Sequence, residues 1–398
     1  MTQTIDFEPS FLQEIQAIRR DIHAHPEVAY EETRTSDLVA KKLEQYGFTV
    51  LRGMATTGVV GKIHSGTGKR AIGLRADMDA LPIQESNLFD HASRYPGKMH
   101  ACGHDGHVAM LLGAAIHLAK TRNFNGTVYV IFQPAEESFG GAPRMIADGL
   151  FKKAPVDAIF GMHNWPDYDA GQFAVNSGAL MASSNSFKLV IHGRGGHGGQ
   201  PNHTVDPVMT AVQIAQAWQT VISRNIAPVD LAALSITQIH AGSAFNIVPD
   251  DALMAGTVRT FSEDVLDVIE NRMREIAENI ARAFNCSFEF EFLRSYPPVI
   301  NHAKETALAI EVMESLVGSE NVIKDAVPTM TSEDFSFMLK EAPGCYIFIG
   351  NGSGGHREAQ HGAGPCRLHN PSFDFNDYIL PLGMSYWVRL AEKFLSRE

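Results

Sequence analysis

The chain has 398 residues, too many for one comfortable hydrophobic core, and its 44% apolar content is enough to fill two. Thirty-three basic against 45 acidic residues leave a formal net charge of -12, which argues against nucleic acid and anionic membrane surfaces as main partners and points to a small-molecule substrate. No basic and apolar leader pattern opens the sequence, no 18-residue apolar run occurs in it, and its four cysteines lie scattered without CxxC spacing, so a reducing, cytoplasmic setting is expected.

In chain order, the apolar periodicity predicts a helix over 11–23, stopped before Pro26, and a second over 35–46 with Gly47 as its C-cap. Short apolar runs follow over 59–63, 71–74, 127–132 and 158–161, several separated by helical stretches such as 107–120. That alternation predicts an α/β domain with a mixed, largely parallel sheet, in which ligands sit beyond the carboxyl ends of the strands. The polar clusters fall there: Asp77 and Asp79, Glu136 and Glu137, and His163. From about residue 186 the rhythm changes to a strand over 186–192, a helix over 205–224, strands over 234–241 and 252–260, a helix over 263–284 and a strand over 287–292. The order β-α-β-β-α-β is that of a ferredoxin-like α+β module. It reads as an insertion, because 308–316, 346–350 and a helix after Phe375 resume the α/β pattern. The expected division is a catalytic domain over 1–182 and 296–398 interrupted by a module over 183–295, with 351–356 a flexible loop.

Cys102 and His104 carry the first chemical signal. A thiolate and an imidazole two residues apart can grip one or two borderline-soft divalent ions, and Gly103 between them gives the backbone freedom to point both at one centre. Alone, the pair reads as a buried free cysteine beside a helix-capping Asp105; the other polar clusters weigh against that. His107 and His117 continue along the same helix, where His107 fits a place behind the ligands or in the core. Glu136 and Glu137 follow an apolar strand, and although a Glu-Glu dipeptide is usually a solvated turn, adjacent carboxylates there repel unless a cation or a shared proton relieves them. One of them is expected to bind metal and the other to act as a base. Asp77 and Asp79 bracket Met78 after another strand, placed to ligate or to orient a histidine, and the orienting role is the better fit. The glycine-rich run 193–201 lacks the phosphate-binding GxxxxGK spacing, so it is not a nucleotide loop; its glycines free His197 to reach outward.

Arg75 to Pro82, His100 to His107, Gln133 to Glu137, Gly161-Met162-His163 and Leu368-His369-Asn370-Pro371, in that order, resemble the amidohydrolase branch of the di-metal aminoacylase and carboxypeptidase family, which includes hippurate and auxin-conjugate hydrolases. The resemblance spans nearly the whole chain. It implies two divalent metal ions per chain, Zn²⁺ or Mn²⁺ with Co²⁺ and Ni²⁺ also suited, and an inserted lid domain through which such chains often form homodimers. By motif match Cys102 bridges the metals, His104, Glu137, His163 and His369 complete the ligand set, Glu136 is the general base, and Asp79 supports from behind. His197 and Asn246 become donors to the developing oxyanion, and Arg259 a clamp for a substrate carboxylate. The wider family has His-x-Asp where this chain has Asp77-Met78-Asp79; the resemblance gives Asp77 no role, and the Cys-Gly-His pattern supplies the replacement ligands. The implied reaction is hydrolysis of N-acyl amino acids by a metal-activated water. Its rivals are a di-metal dipeptidase or carboxypeptidase, a metal-independent amidase with Cys102 as nucleophile, and a metal-binding protein without activity.

Overall fold

A computed structural model describes residues 4–138, 140–357 and 359–396, so the outermost residues of the expected ranges 1–182 and 296–398 lie outside the described residues. The chain forms two compact units.

The first comprises Met1–Leu180, Ile300–Val327 and Asp334–Glu398. Its opening helix, Pro9–Ala24, starts on a proline whose missing N–H costs nothing at that position, and it buries Ile15, Ile18 and Ile22 along one stripe. The next, Thr33–Gln45, buries Val39, Ala40 and Leu43 in the same way. Eight strands then form one sheet in the order Thr49–Met54, Gly58–Ser65, Gly126–Gln133, Ala71–Asp77, Ala158–Trp165, Gly344–Gly350, Phe173–Ala174, Val322–Ile323. Four of the seven pairings are parallel and three antiparallel, so the sheet is mixed with a parallel centre. Ala71–Asp77 and Gly344–Gly350 are buried at every residue, as expected where a parallel sheet is covered on both faces. The helix His104–Thr121 lies on this core and is itself buried almost all round, with Val108, Leu111 and Leu112 inaccessible. The strand Thr49–Met54 is not predicted from the sequence. It is an edge strand, and Arg52 and Gly53, both exposed, break the apolar run that would have marked it.

The second unit comprises Met181–Val299 and Pro328–Glu333. Strand Ser184–His192, helix Pro207–Asn225, strands Ala232–Ala241 and Asp251–Thr260, helix Glu263–Ala283 and strand Ser287–Tyr296 follow the β-α-β-β-α-β order. The strands pair antiparallel in the spatial order Ala232–Ala241, Asp251–Thr260, Ser184–His192, Ser287–Tyr296. One face is packed by both helices around Phe187, Leu189, Trp218, Met254 and Met273, and the alternating burial of Asp251–Thr260 follows from that. Asp206 and Ser262 cap the two helices by accepting their first free N–H groups. The short piece Pro328–Glu333 joins this unit through the Ala182 N–H, which donates to the carbonyls of Thr329 and Thr331 at 3.0 and 2.9 Å. Among the described residues no helix is long and apolar enough to cross a membrane.

Candidate metal centre

Three of the candidate ligands meet where the strands Ala71–Asp77 and Ala158–Trp165 end beside the start of the helix His104–Thr121. Gly103 caps that helix with φ +94°, and a Cβ added there would lie 2.3 Å from Asn164 Oδ1. Both the backbone sign and the space therefore require glycine between Cys102 and His104. His104 Nδ1 donates to the Asp79 carbonyl at 2.9 Å, which leaves Nε2 buried and without a hydrogen-bond partner. His163 is fixed in the same way: its Nδ1 donates to the Asn164 carbonyl at 2.7 Å, and its Nε2 lies 3.3 Å from Cys102 Sγ. Both imidazoles are thus held at Nδ1 by a backbone carbonyl, with Nε2 of His104 unpartnered and Nε2 of His163 against the thiol, the arrangement that backbone carbonyls enforce on metal-binding histidines.

The carboxylates arrive on a bent loop after the strand Gly126–Gln133. Ala135 adopts φ +56°, and the next two amides, Glu136 and Glu137, donate to Asp79 Oδ1 and Oδ2 at 3.1 and 2.9 Å. Glu137 Oε1 stands 3.1 Å from His369 Nε2 and 3.9 Å from His104 Nε2, without the alignment of a hydrogen bond to either. His369 has φ +62°, and its N–H donates to the Ala101 carbonyl at 2.8 Å, tying a distant loop to the Cys102 segment. Within Cys102, His104 and His163, and again within Cys102, Glu137 and His369, the ligand atoms all lie within 4.8 Å of one another. The two groups share the thiol, so Cys102, His104, Glu137, His163 and His369 would fit two cations. Asp77 stands behind: its oxygens take His107 Nδ1 at 2.6 Å and Arg75 Nη1 at 2.7 Å, and Arg75 also binds Gln133 and Asp334.

The electrostatics fit the same occupants. Burial, then the neighbouring Glu137 and Glu136, push the Cys102 thiol well above its ordinary range. Burial opposes a charge on His104, but Asp77, Asp79 and Glu137 outweigh it and raise the imidazole to about 10, whereas burial and the adjacent His107 keep His163 neutral. Crowded carboxylates, a thiol and imidazoles suit borderline divalent ions.

The model of the peptidase family M20/M25/M40 matches residues 73–393. The chain belongs to that family. It is 40% identical over 382 residues to the hippurate hydrolase of Campylobacter jejuni, covering 96% of this chain and 97% of that one. It is 39% identical over 387 residues to thermostable carboxypeptidase 1 of Saccharolobus solfataricus, covering 96% and 95%. A solved dinuclear metal-binding peptidase of the M20 family from Bacillus subtilis superposes with a TM-score of 0.84 at 34% identity, covering 98% of this chain and 99% of that one. The M20 chain is therefore a metal-dependent hydrolase.

Of the residues singled out in sequence, Cys102, His104, Glu136, Glu137, His163, His369 and Asp79 come together in this M20 centre. His197, Asn246 and Arg259 belong to the second unit. There His197 pairs with Ile247 across a two-residue ladder, and the Gly198 N–H donates to the Asn246 carbonyl at 2.8 Å, so the two segments run beside each other, with His197 and Asn246 both exposed. The Gly199 N–H donates to His197 Nδ1 at 2.9 Å, which leaves the proton on Nε2. Arg259 is half-buried and makes only long contacts, 3.4 and 3.3 Å, to the carbonyls of Asn185 and Val258; among the described residues no carboxylate pairs with it. Sequence reasoning passed over Asn164, Arg75 and Gln133. Asn164 follows His163 directly, and the other two sit inside the quoted motifs, so adjacency was the available signal.

Proposed function

We propose that this M20 chain hydrolyses the amide bond of N-acyl amino acids, of the hippurate or N-acetyl kind, to a carboxylic acid and a free amino acid. The observation that carries this reading is the division between two adjacent glutamates. Glu137 is grouped with Cys102 and His369, and both glutamates approach His104, but Glu136, only 6% exposed, lies outside the two groups that contain the thiol and so is the one left for proton transfer. Structural metal sites are closed and carry no spare carboxylate. The similarity to hippurate hydrolase over nearly the whole chain supports the substrate class.

Two divalent ions, Zn²⁺ or Mn²⁺ by the donor set of Cys102, His104, Glu137, His163 and His369, would polarise the scissile carbonyl and make a water more acidic. Glu136 takes that water's proton and returns it to the leaving nitrogen. Asp79 holds the Glu136 and Glu137 amides, so neither carboxylate has to find its direction during the reaction. The Nε2–H of His197 and the amide of Asn246 donate to the carbonyl oxygen as it gains charge. Arg259, which has no acidic partner among the described residues, holds the substrate carboxylate as a bidentate pair. The module carrying these three acts as a lid and as the surface of a homodimer. A cytoplasmic place of action accords with four cysteines that are all free.

A carboxypeptidase-type reading, with an amino acid as the acyl group, is favoured by the similarity to the thermostable carboxypeptidase. A panel of N-benzoyl, N-acetyl and indole-acetyl amino acids run beside dipeptides, with each metal in turn, decides between them: faster turnover of dipeptides overturns the N-acyl reading. Glu136→Gln tests the mechanism. The expected loss is about 10²–10⁴-fold in kcat with both ions retained; wild-type turnover, or loss of metal, sinks the base assignment.

A further inference from the structure

Glu32 lies between the helices Pro9–Ala24 and Thr33–Gln45, far in sequence from every residue of the centre. It is fully buried, and its carboxylate ends on the loop that carries Glu136 and Glu137. Oε1 accepts the Ala135 N–H at 3.0 Å, and Oε2 accepts the Thr57 hydroxyl at 2.6 Å. The next two amides along the loop go to Asp79, so three consecutive N–H groups, 135, 136 and 137, are each taken by a buried carboxylate. Successive amides bent by one left-handed residue form a concavity that suits an anion, and here the chain fills it with its own side chains.

The loop needs this restraint. Ala135 sits at φ +56°, a conformation that an alanine keeps only when its surroundings over-determine it. From the far side the Gly141 N–H donates to the Ala135 carbonyl at 3.0 Å, and a Cβ at Gly141 would lie 1.6 Å from the Pro134 carbonyl oxygen. Thr57, the other partner, closes a turn in which Ala55 and Thr56 also have positive φ, at 45° and 76°. Glu32 thus pins a strained hairpin turn and a strained loop to the start of a helix. Its place is unfavourable for a carboxylate: burial first, and the neighbouring Asp79, raise it to about 7 against the bonds from Thr57 and Ala135.

We infer that Glu32 is a positioning residue for the reaction, holding the Ala135 amide so that the carboxylates of Glu136 and Glu137 leave the loop in fixed and different directions. This rests on the reading of Glu136 as the base and Glu137 as a ligand. Glutamine can replace Glu32 without moving anything, because its carbonyl oxygen can accept from Ala135 while its amide donates to the Thr57 oxygen. Leucine has a similar size and offers no acceptor.

The test compares Glu32→Gln, Glu32→Leu and Glu136→Gln with the wild type, each purified and loaded with Mn²⁺. Glu32→Gln should keep kcat within about threefold, whereas Glu32→Leu should lose about 100-fold in kcat at nearly unchanged KM, the scale expected when a reacting group is misplaced by about 1 Å. Hydrogen exchange on the metal-free proteins gives a readout independent of turnover. In Glu32→Leu the amides of 135–137 should exchange at least about tenfold faster while the strands Ala71–Asp77 and Ala158–Trp165 keep their protection. A Glu32→Leu variant with wild-type kcat, or one whose exchange rises equally throughout the unit, overturns the positioning role. If Glu32→Leu does not fold, Thr57→Val removes one of the two anchors of Glu32 and should lose about tenfold in kcat; no loss overturns the inference. Wild-type activity in Glu136→Gln rejects the base assignment itself, whereas an inactive Glu136→Gln beside an active Glu32→Leu rejects Glu32 alone.

Discussion

The functional residues of the two units are held in opposite ways. Around Cys102 the His104 and His163 imidazoles are each fixed by a backbone carbonyl, each glutamate by an amide bonded to Asp79, and His104, His163 and Asp79 are buried, with His369 the exposed member of the set. In the inserted module His197 and Asn246 are exposed, and among the described residues the Arg259 side chain makes two long hydrogen bonds, at 3.4 and 3.3 Å. The contrast follows from what each set has to meet. On the proposed roles, a metal ion rewards donors whose geometry exists before it arrives, whereas groups that would grip an organic substrate could be set by that substrate as a lid closes.

The sharpest way to break that contrast is at its rigid end. Cys102→Ser removes the one atom common to both ligand groups, and it should strip both ions and lower activity well beyond the roughly 10–100-fold typical of outer partners. Elemental analysis after dialysis against a chelator checks this; unchanged occupancy takes Cys102 out of the site. At the loose end, His197→Ala should lower kcat by about 10²–10³-fold with metal content intact, the scale of one lost oxyanion donor. A His197→Ala variant that loses metal would erase the distinction between the two sets.

Protons probe the scaffold behind the rigid set. Burial opposes a charge on His23, but Asp105 and Glu85 outweigh it and raise it to about 9 from 6.5. A base bound more tightly in the folded state stabilises below pH 6.5 and loses that contribution as pH rises through 9, so up to about 3 kcal/mol should disappear between these values. Urea unfolding at pH 6.5 and 9.5, for wild type and His23→Gln, tests it: equal pH dependence in both rules it out. The smallest effect expected is from Arg259→Ala, a rise of about tenfold in KM, worth about 1.4 kcal/mol, with little change in kcat. The companion measurement is the preference for an N-acyl amino acid over its carboxamide, which should fall toward unity; an undiminished preference removes Arg259 from substrate binding.

What could be read in the sequence was local. Cys102, Gly103 and His104 are consecutive, Glu136 and Glu137 adjacent, and each pair follows or precedes an apolar run that marks a strand or a helix, so composition and order sufficed. The supporting contacts were not legible because their partners are far apart: Asp77 reaches His107 over 30 positions, Glu32 reaches Ala135 over 103, and Arg75 reaches Asp334 over 259. No periodicity records such pairings. The left-handed residues Ala135 and His369 escaped for a related reason, since neither alanine nor histidine advertises positive φ as glycine does.

The order in which the chain is made leaves the metal centre open for most of synthesis. His369 lies 267 positions after Cys102, and the whole second unit, with its own core, is translated between them. At about 5–20 residues per second a ribosome takes roughly 13–50 s to cover that stretch. For the last 206 of those positions, roughly 10–40 s at the same rate, four of the five proposed ligands, the thiol among them, are in the nascent chain without the fifth. With the proposed ligand set, an ion met before His369 is made would find only part of its donors, so selection among divalent ions by the full set would have to wait for the end of synthesis.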